Sequence, residues 1–232
     1  MLRAMRRRVM AVLLLAAGSA SAQEGVPEPA PREAPRGAER AAPLVVGAKL
    51  PESVVVIPLA SPSPAAGEAE ADPPSEPAPP SPVALASLAG QPARPLVVLF
   101  WSARCPVCRR YNALFRGLVK EYGDRVAFAV VCPNANETDE YLRGTLRDAR
   151  IEAPAASDRQ GRASEALGVR VTPTALLFDP SGTLRYRGPL DDDRKHRERD
   201  TTEHLRLALD AVLGGRDVPS ADPRAFGSAV RR

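Results

Sequence analysis

A layered α/β domain with a mixed central sheet is predicted by three observations. From Leu96 onward, apolar strand-like runs alternate with amphipathic helical patterns. The pair Cys105-Pro106-Val107-Cys108 sits where the first of these strands passes into the first helix. The preceding region has a different composition: residues 23–82 hold 15 of the 25 prolines, and such a segment cannot bury a core.

The elements follow in order. Residues 1–22 carry Arg3, Arg6, Arg7 and Arg8, an apolar run from Val9 to Ala17, and the small residues Ala20-Ser21-Ala22. This is the pattern of a secretory signal, with cleavage expected after Ala22. The run is much shorter than the ~20 residues of a spanning helix. The expected product is therefore periplasmic or otherwise exported, either released or tethered through an uncleaved signal. Residues 23–42 read as a disordered linker, 43–216 as the folded domain, and 217–232 as a C-terminal tail. A second Pro/Ala-rich stretch, 61–81, reads as a disordered insertion in an N-terminal hairpin. Val45-Val46 and Val54 to Ile57 suit short strands before it, and Val83 to Gly90 resumes an alternating apolar pattern after it.

Beyond the strand Leu96 to Phe100, the residues Tyr111, Leu114, Phe115, Leu118, Val119 and Tyr122 share one helical face, with Gly123 as the stop. Val126 to Val131 is the next strand. Glu137 to Ala149 is the next helix, its apolar face including Tyr141 and its cap expected at Asn134 or Asn136. Ala163 to Leu167 makes a short helix. Thr174 to Phe178 and Thr183 to Arg187 form a hairpin around Asp179-Pro180-Ser181-Gly182. Asp191-Asp192-Asp193 through Asp200 reads as a solvated loop, and Thr202 to Leu213 as a final helix ended by Gly214-Gly215.

Charge excludes one class of function. Four of the 32 basic residues lie in the signal, leaving 28 against 28 acidic residues, so the mature chain is formally neutral. No stretch beyond it concentrates basic residues apart from acidic ones, and nucleic acid is not an expected partner.

Three cysteines cannot form a disulfide framework; Cys105 and Cys108 pair naturally and Cys132 is left over. A dithiol at a helix start can close and reopen a small ring, and the helix N-terminus favours the Cys105 thiolate. Arg104, Arg109 and Arg110 flank the pair and are expected to act in the same sense. A structural disulfide is the main alternative. A zinc half-site would need partners from Cys132, His196 and His204, which lack ligand spacing, so no metal is expected. Cys132 closes the Val126 to Val131 strand, on the side where the functional crevice of an open parallel sheet lies. It is a candidate accessory thiol, with an inert half-buried thiol as the plainer reading.

Leu99-Phe100-Trp101 before the Cys pair, Gly168-Val169-Arg170-Val171-Thr172-Pro173-Thr174, and Phe178-Asp179-Pro180-Ser181-Gly182 leading to Tyr186-Arg187-Gly188 resemble the thioredoxin-like redoxins of the exported TlpA and AhpC/TSA type. The resemblance covers about Leu44 to Arg216. It implies a thioredoxin-like fold and thiol–disulfide exchange with protein thiols and disulfides; the expected direction is reduction, supplied by a membrane electron donor, with oxidation as the alternative if the basic flank stabilises reduced Cys105. It also implies a monomer with no cofactor beyond the Cys105–Cys108 redox disulfide. Cys105 would be the exposed attacking thiol and Cys108 the buried resolving one. Pro173 would be a cis-proline, with Thr172 offering its backbone to a substrate strand. Trp101 would pack beneath the dithiol, while Arg104, Pro106 and Val107 complete the substrate-positioning surface. Thioredoxins proper carry a buried aspartate where this chain has Leu99, which leaves the proton acceptor for Cys108 unassigned. The ending Phe226-Gly227-Ser228 is similar to a Gly-Cys ending of some relatives, with serine replacing the thiol. Two alternatives stand beside exchange. Ser102-Ala103-Arg104-Cys105 fits half of a peroxiredoxin pattern, with Val98 where that pattern has proline. A non-catalytic module binding metal or a partner is the other; copper carriers of this fold space their cysteines one residue further apart.

Overall fold

The computed structural model describes residues 42–59, 80–90, 94–194 and 201–232. The signal pattern at 1–22, nearly all of the 23–42 linker, most of the 61–81 insertion and residues 195–200 lie outside the described residues. Along the chain come β1 (Val55–Pro58), β2 (Val83–Ala84), a 3₁₀ turn (Leu85–Ala89), β3 (Leu96–Phe100), α1 (Pro106–Tyr122) and β4 (Ala127–Cys132). There follow α2 (Asp139–Asp148), β5 (Ala155–Ser157), α3 (Arg162–Ala166), β6 (Val171–Thr172) and β7 (Thr174–Phe178). Last come β8 (Leu184–Gly188), α4 (His204–Leu213) and β9 (Ser228–Ala229).

Among the described residues, seven strands form one mixed sheet in the order β2-β1-β5-β4-β3-β7-β8. Strands β3 and β4 are parallel, joined across α1, with Leu96 opposite Ala127 and Phe100 opposite Val131. On the other side β7 runs antiparallel to β3, and β8 to β7. This is the thioredoxin-like α/β arrangement, its N-terminal hairpin formed by Val55 against Ala84 and Val56 against Val83.

The central strands are apolar at nearly every position because both sheet faces are covered. Val97, Leu99, Phe128, Val130 and Leu177 point to one face, where Phe115 and Leu118 of α1, Leu142 of α2 and Leu205 and Leu209 of α4 close over them. Phe115 meets Phe128 edge-on at 5.8 Å. Val98, Phe100, Val131, Leu176 and Phe178 point to the other face, against Leu85, Ala163 and Leu167. Each such side chain contributes about 1.5–3 kcal/mol by leaving water. The ends of β3 and β4 are thereby held rigidly, and the redox loop springs from one of them.

Several local expectations need correction. Val45-Val46 form no strand: the chain turns at Gly47 (φ 93°), and Lys49 makes an isolated bridge to Thr183. Helix α2 is capped by Thr138, whose Oγ1 accepts the Tyr141 N–H at 3.3 Å, and not by Asn134 or Asn136. Tyr141 is exposed on this helix. Asp191 and Asp193 are buried, with the Tyr111 hydroxyl donating to the Asp191 carboxylate, so this part of the acidic run is not a solvated loop. Strand β5 carries the weak strand sequence Ala-Ala-Ser and exists because β4 and β1 pair with it on either side.

Candidate active site

The redox loop leaves β3 at Phe100, and Trp101 continues the ladder by donating its N–H to the Val131 carbonyl at 2.9 Å. Its indole Nε1 donates to Asn112 Oδ1 at 3.0 Å, which fixes the buried ring in the core cluster that also holds both cysteines. Cys105 is the N-cap of α1: its backbone is extended (φ −84°, ψ 116°), Pro106 occupies the first turn, and its sulfur accepts the Cys108 N–H at 3.3 Å. Serving as the cap acceptor at a positive helix end suits a thiolate.

The two thiols are driven apart. The Cys105 pKa is lowered to about 4, chiefly because the Cys108 thiol donates to it, then by the hydroxyl and backbone N–H of Ser228, against the opposing effect of burial. Cys108 is raised well above its ordinary value by burial first, then by its bond to Cys105 and the Cys105 charge. All three cysteines are free. At neutral pH the arrangement holds a thiolate at Cys105 and a thiol at Cys108.

The facing wall comes from β6 and its loop. The Thr172–Pro173 bond is cis, both residues are buried, and the Thr172 carbonyl oxygen lies 3.1 Å from Cys105 Sγ. The Thr172 hydroxyl, which has no other hydrogen-bond partner, is turned to Cys108. Onto this wall folds the C-terminal tail. Strand β9 pairs antiparallel with β6, Ser228 opposite Thr172 and Ala229 opposite Val171. Beneath it Cys105 is only 1% exposed. The expectation of an exposed attacking thiol is corrected here: tail and Thr172-Pro173 loop enclose it.

A polar cluster behind the loop was not visible in the sequence. Glu137 is fully buried, and its Oε1 accepts from Ser102 Oγ at 2.8 Å and from the Arg104 N–H at 2.9 Å, while Oε2 has no partner. Asn134 Nδ2 donates to Ser102 Oγ at 2.9 Å, and its Oδ1 accepts the Arg231 N–H at 2.9 Å. Asn134 thus joins the redox loop to the tail, four positions before the Thr138 cap of α2. No spacing pattern marks these residues.

Other sequence candidates fall into place around the dithiol. Arg104 is exposed, its guanidinium stacked over the Tyr141 ring at 5.1 Å, and neither it nor Arg109 nor Arg110 is among the main causes of the Cys105 shift. The expected basic influence gives way to hydrogen bonds. Pro106 is exposed and Val107 half-buried. Cys132 is wholly buried at the end of β4, and burial, followed by the charges of Glu137 and Asp139, raises its pKa. It stays protonated and out of solvent. Among the described residues no helix is long and apolar enough to cross a membrane.

A family model described as the AhpC/TSA family matches residues 77–187. No curated protein matches the sequence. Among solved structures, the thioredoxin domain of a thiol-disulfide oxidoreductase from Bacteroides vulgatus is 16% identical, covering 61% of this chain and 86% of that one with a TM-score of 0.46. An uncharacterized conserved protein from Geobacillus kaustophilus is 21% identical, with a TM-score of 0.65 over 81% of this chain and 92% of that one. A hypothetical protein from Sinorhizobium meliloti 1021 is 23% identical, with a TM-score of 0.64 over 82% and 95%. At these identities the likeness to the latter two is one of fold.

Proposed function

We propose that the chain is a thioredoxin-like redoxin that exchanges disulfides with protein partners through Cys105 and Cys108. The observation that carries this reading is the asymmetry of the two thiols: one a stabilised thiolate at a helix N-terminus, the other buried and protonated beside it. In the reductive direction, Cys105 thiolate attacks one sulfur of a partner disulfide. The partner's S–S bond breaks, a Cys105–partner disulfide forms, and the departing partner thiolate takes a proton. Cys108 then loses its proton and attacks Cys105, which closes the Cys105–Cys108 disulfide and releases the second partner thiol. Two electrons have passed from the dithiol to the partner. Trp101, Arg104, Pro106, Val107, Thr172 and Pro173 border this chemistry as the positioning surface. Cys132 takes no part in it while buried.

The signal pattern at 1–22 supports an exported, periplasmic site of action, with the spent disulfide re-reduced by a membrane electron donor and no further cofactor. The depressed Cys105 pKa favours a second direction, because a stabilised thiolate stabilises the dithiol form and makes the disulfide the more oxidising partner. A peroxidase reading is weakened by Ser102, whose hydroxyl is committed to Glu137, and by Val98, buried in β3. The test is reduction of insulin disulfides by the purified reduced chain. Activity is expected, falling to background in Cys105→Ser. Hydrogen peroxide consumption without insulin reduction would replace exchange by peroxidase chemistry.

A further inference from the structure

Strand β9 is the partner of β6 in a two-stranded sheet separate from the main one. If it left, Val171-Thr172 would present an open strand edge beside Cys105, the kind of edge that takes up an extended polypeptide. Each of three successive tail residues meets a seat that is specific in its chemistry. Ser228 lies opposite Thr172 in register, and the Thr172 carbonyl oxygen is 3.1 Å from Cys105 Sγ, which puts position 228 on the Cys105 side of the strand pair; the Ser228 hydroxyl and amide are among the groups that lower the Cys105 pKa. Gly227 (φ 149°) passes so close to Thr172 that a Cβ would run into its carbonyl oxygen and carbon. Phe226 meets Tyr111 of α1 edge-on at 6.4 Å and lies under the Arg194 guanidinium at 5.3 Å.

Resting on the exchange reading, we propose that residues 226–229 occupy the substrate strand's place, and that the partner is an extended polypeptide whose disulfide cysteine follows a glycine and, before that, an aromatic residue. The tail is an internal copy of this segment with serine at the reactive position, so it fits the site without reacting. A partner enters when the tail lifts. Besides the partial burial of Phe226 and Val230 against the core, residues 230–232 are held by a few polar contacts: Val230 N–H to the Arg170 carbonyl at 2.9 Å, the Asn134 bond to Arg231, the Ala135 N–H to the Arg231 carbonyl at 2.9 Å, and an exposed Arg232–Glu165 pair at 3.8 Å. Short, partly exposed pairings of this kind open locally long before the core does. Asn134 bonds Ser102 as well, so lifting the tail also frees one partner of the cluster behind the dithiol. The apparent affinity for a partner is the intrinsic affinity multiplied by the fraction of molecules with the tail lifted.

The first test uses the full chain with Cys108→Ser and Ser228→Cys, oxidised by glutathione disulfide. Two thiols should give up two electrons and two protons, forming a disulfide between Cys105 and the new thiol at position 228 and leaving two molecules of glutathione; intact mass and tryptic mapping read it. Glutathione attached to Cys105 in place of that bond would overturn the proposal. The second test uses Gly227→Val, which cannot seat the tail. Alkylation of Cys105 by iodoacetamide should be about tenfold faster or more than in the unaltered chain, and an equal rate would overturn the proposal. In the same variant, the glutathione mixed disulfide of the peptide Ala-Phe-Gly-Cys-Ala-Val should be reduced about tenfold faster than that of Ala-Phe-Ala-Cys-Ala-Val. Equal rates would contradict the glycine requirement. The crosslink and alkylation readouts need no turnover, so they stand apart from the insulin test of the exchange reading.

Discussion

One wall of the redox cleft, Trp101 to Cys108 with the first turn of α1, is continuous in the chain, whereas the opposite wall assembles Thr172-Pro173 and Ser228 from distant segments. Thr172 is 67 positions from the cysteine it faces, and Ser228 comes from the far end of the chain. The continuous wall follows local rules: a strand buried on both faces ends, an N-cap follows, and the helix begins with proline. The assembled wall depends on the whole sheet being in place and on the tail returning to it. The first wall supplies the nucleophile and the largest part of its activation, while the second encloses it and adds to that activation. Local structure places the nucleophile, and tertiary structure encloses it.

The comparison can be sharpened by attacking each wall in turn. The largest effect is expected at the continuous one. Cys108→Ser removes the resolving thiol, so turnover of insulin disulfides should be lost and mixed disulfides at Cys105 should accumulate, visible on non-reducing gels. Phe115→Ala, which empties a fully buried site beneath the same wall, should cost about 3–5 kcal/mol in urea unfolding. Glu137→Ala leaves the Ser102 hydroxyl and the Arg104 N–H without their shared acceptor and should cost about 1–3 kcal/mol; Glu137→Gln, which keeps an acceptor oxygen, should recover most of it.

The smallest expected change is none. With Cys105 already a thiolate above its pKa of about 4, its alkylation rate in the unaltered chain should be flat between about pH 6 and about pH 8. A thiol at its ordinary pKa of 9.0 would instead react steadily faster over that range. The same shift governs the stability of the reduced protein. Because the folded pKa is depressed, Cys105 stabilises the fold fully above pH 9, progressively less as pH falls, and not at all below about pH 4. Cys108, raised in the folded state, works oppositely and destabilises the reduced fold only above pH 9. Comparing urea midpoints of the reduced chain and Cys105→Ser across this range checks the sign.

Much of the continuous wall was legible in the sequence: the strand Leu96 to Phe100, the helix face from Tyr111 to Tyr122 and the placement of the Cys pair between them all follow from periodicity and capping. Thr172-Pro173 was found through resemblance, since nothing in a lone Thr-Pro says what it will face. Glu137, Ser102 and Asn134 escaped notice because burial, not spacing, brings them together, and Asn134 read more naturally as a helix cap. Arg104 misled in the other direction: adjacent in sequence to Cys105, it is turned onto Tyr141. Ser228 read as the loss of a thiol, and only the β6–β9 pairing gives that serine a position. Strand β5 was missed because partners, not its own Ala-Ala-Ser sequence, make it a strand.

The central claim is that Cys105 and Cys108 act as one two-electron couple, and its most direct test is a redox titration of the full chain against glutathione, followed by quenching and intact mass. The account predicts a single transition in which both thiols disappear together into the Cys105–Cys108 disulfide while Cys132 remains free. Accumulation of glutathione on Cys105 with Cys108 still a thiol, across the whole range of potentials, would contradict it.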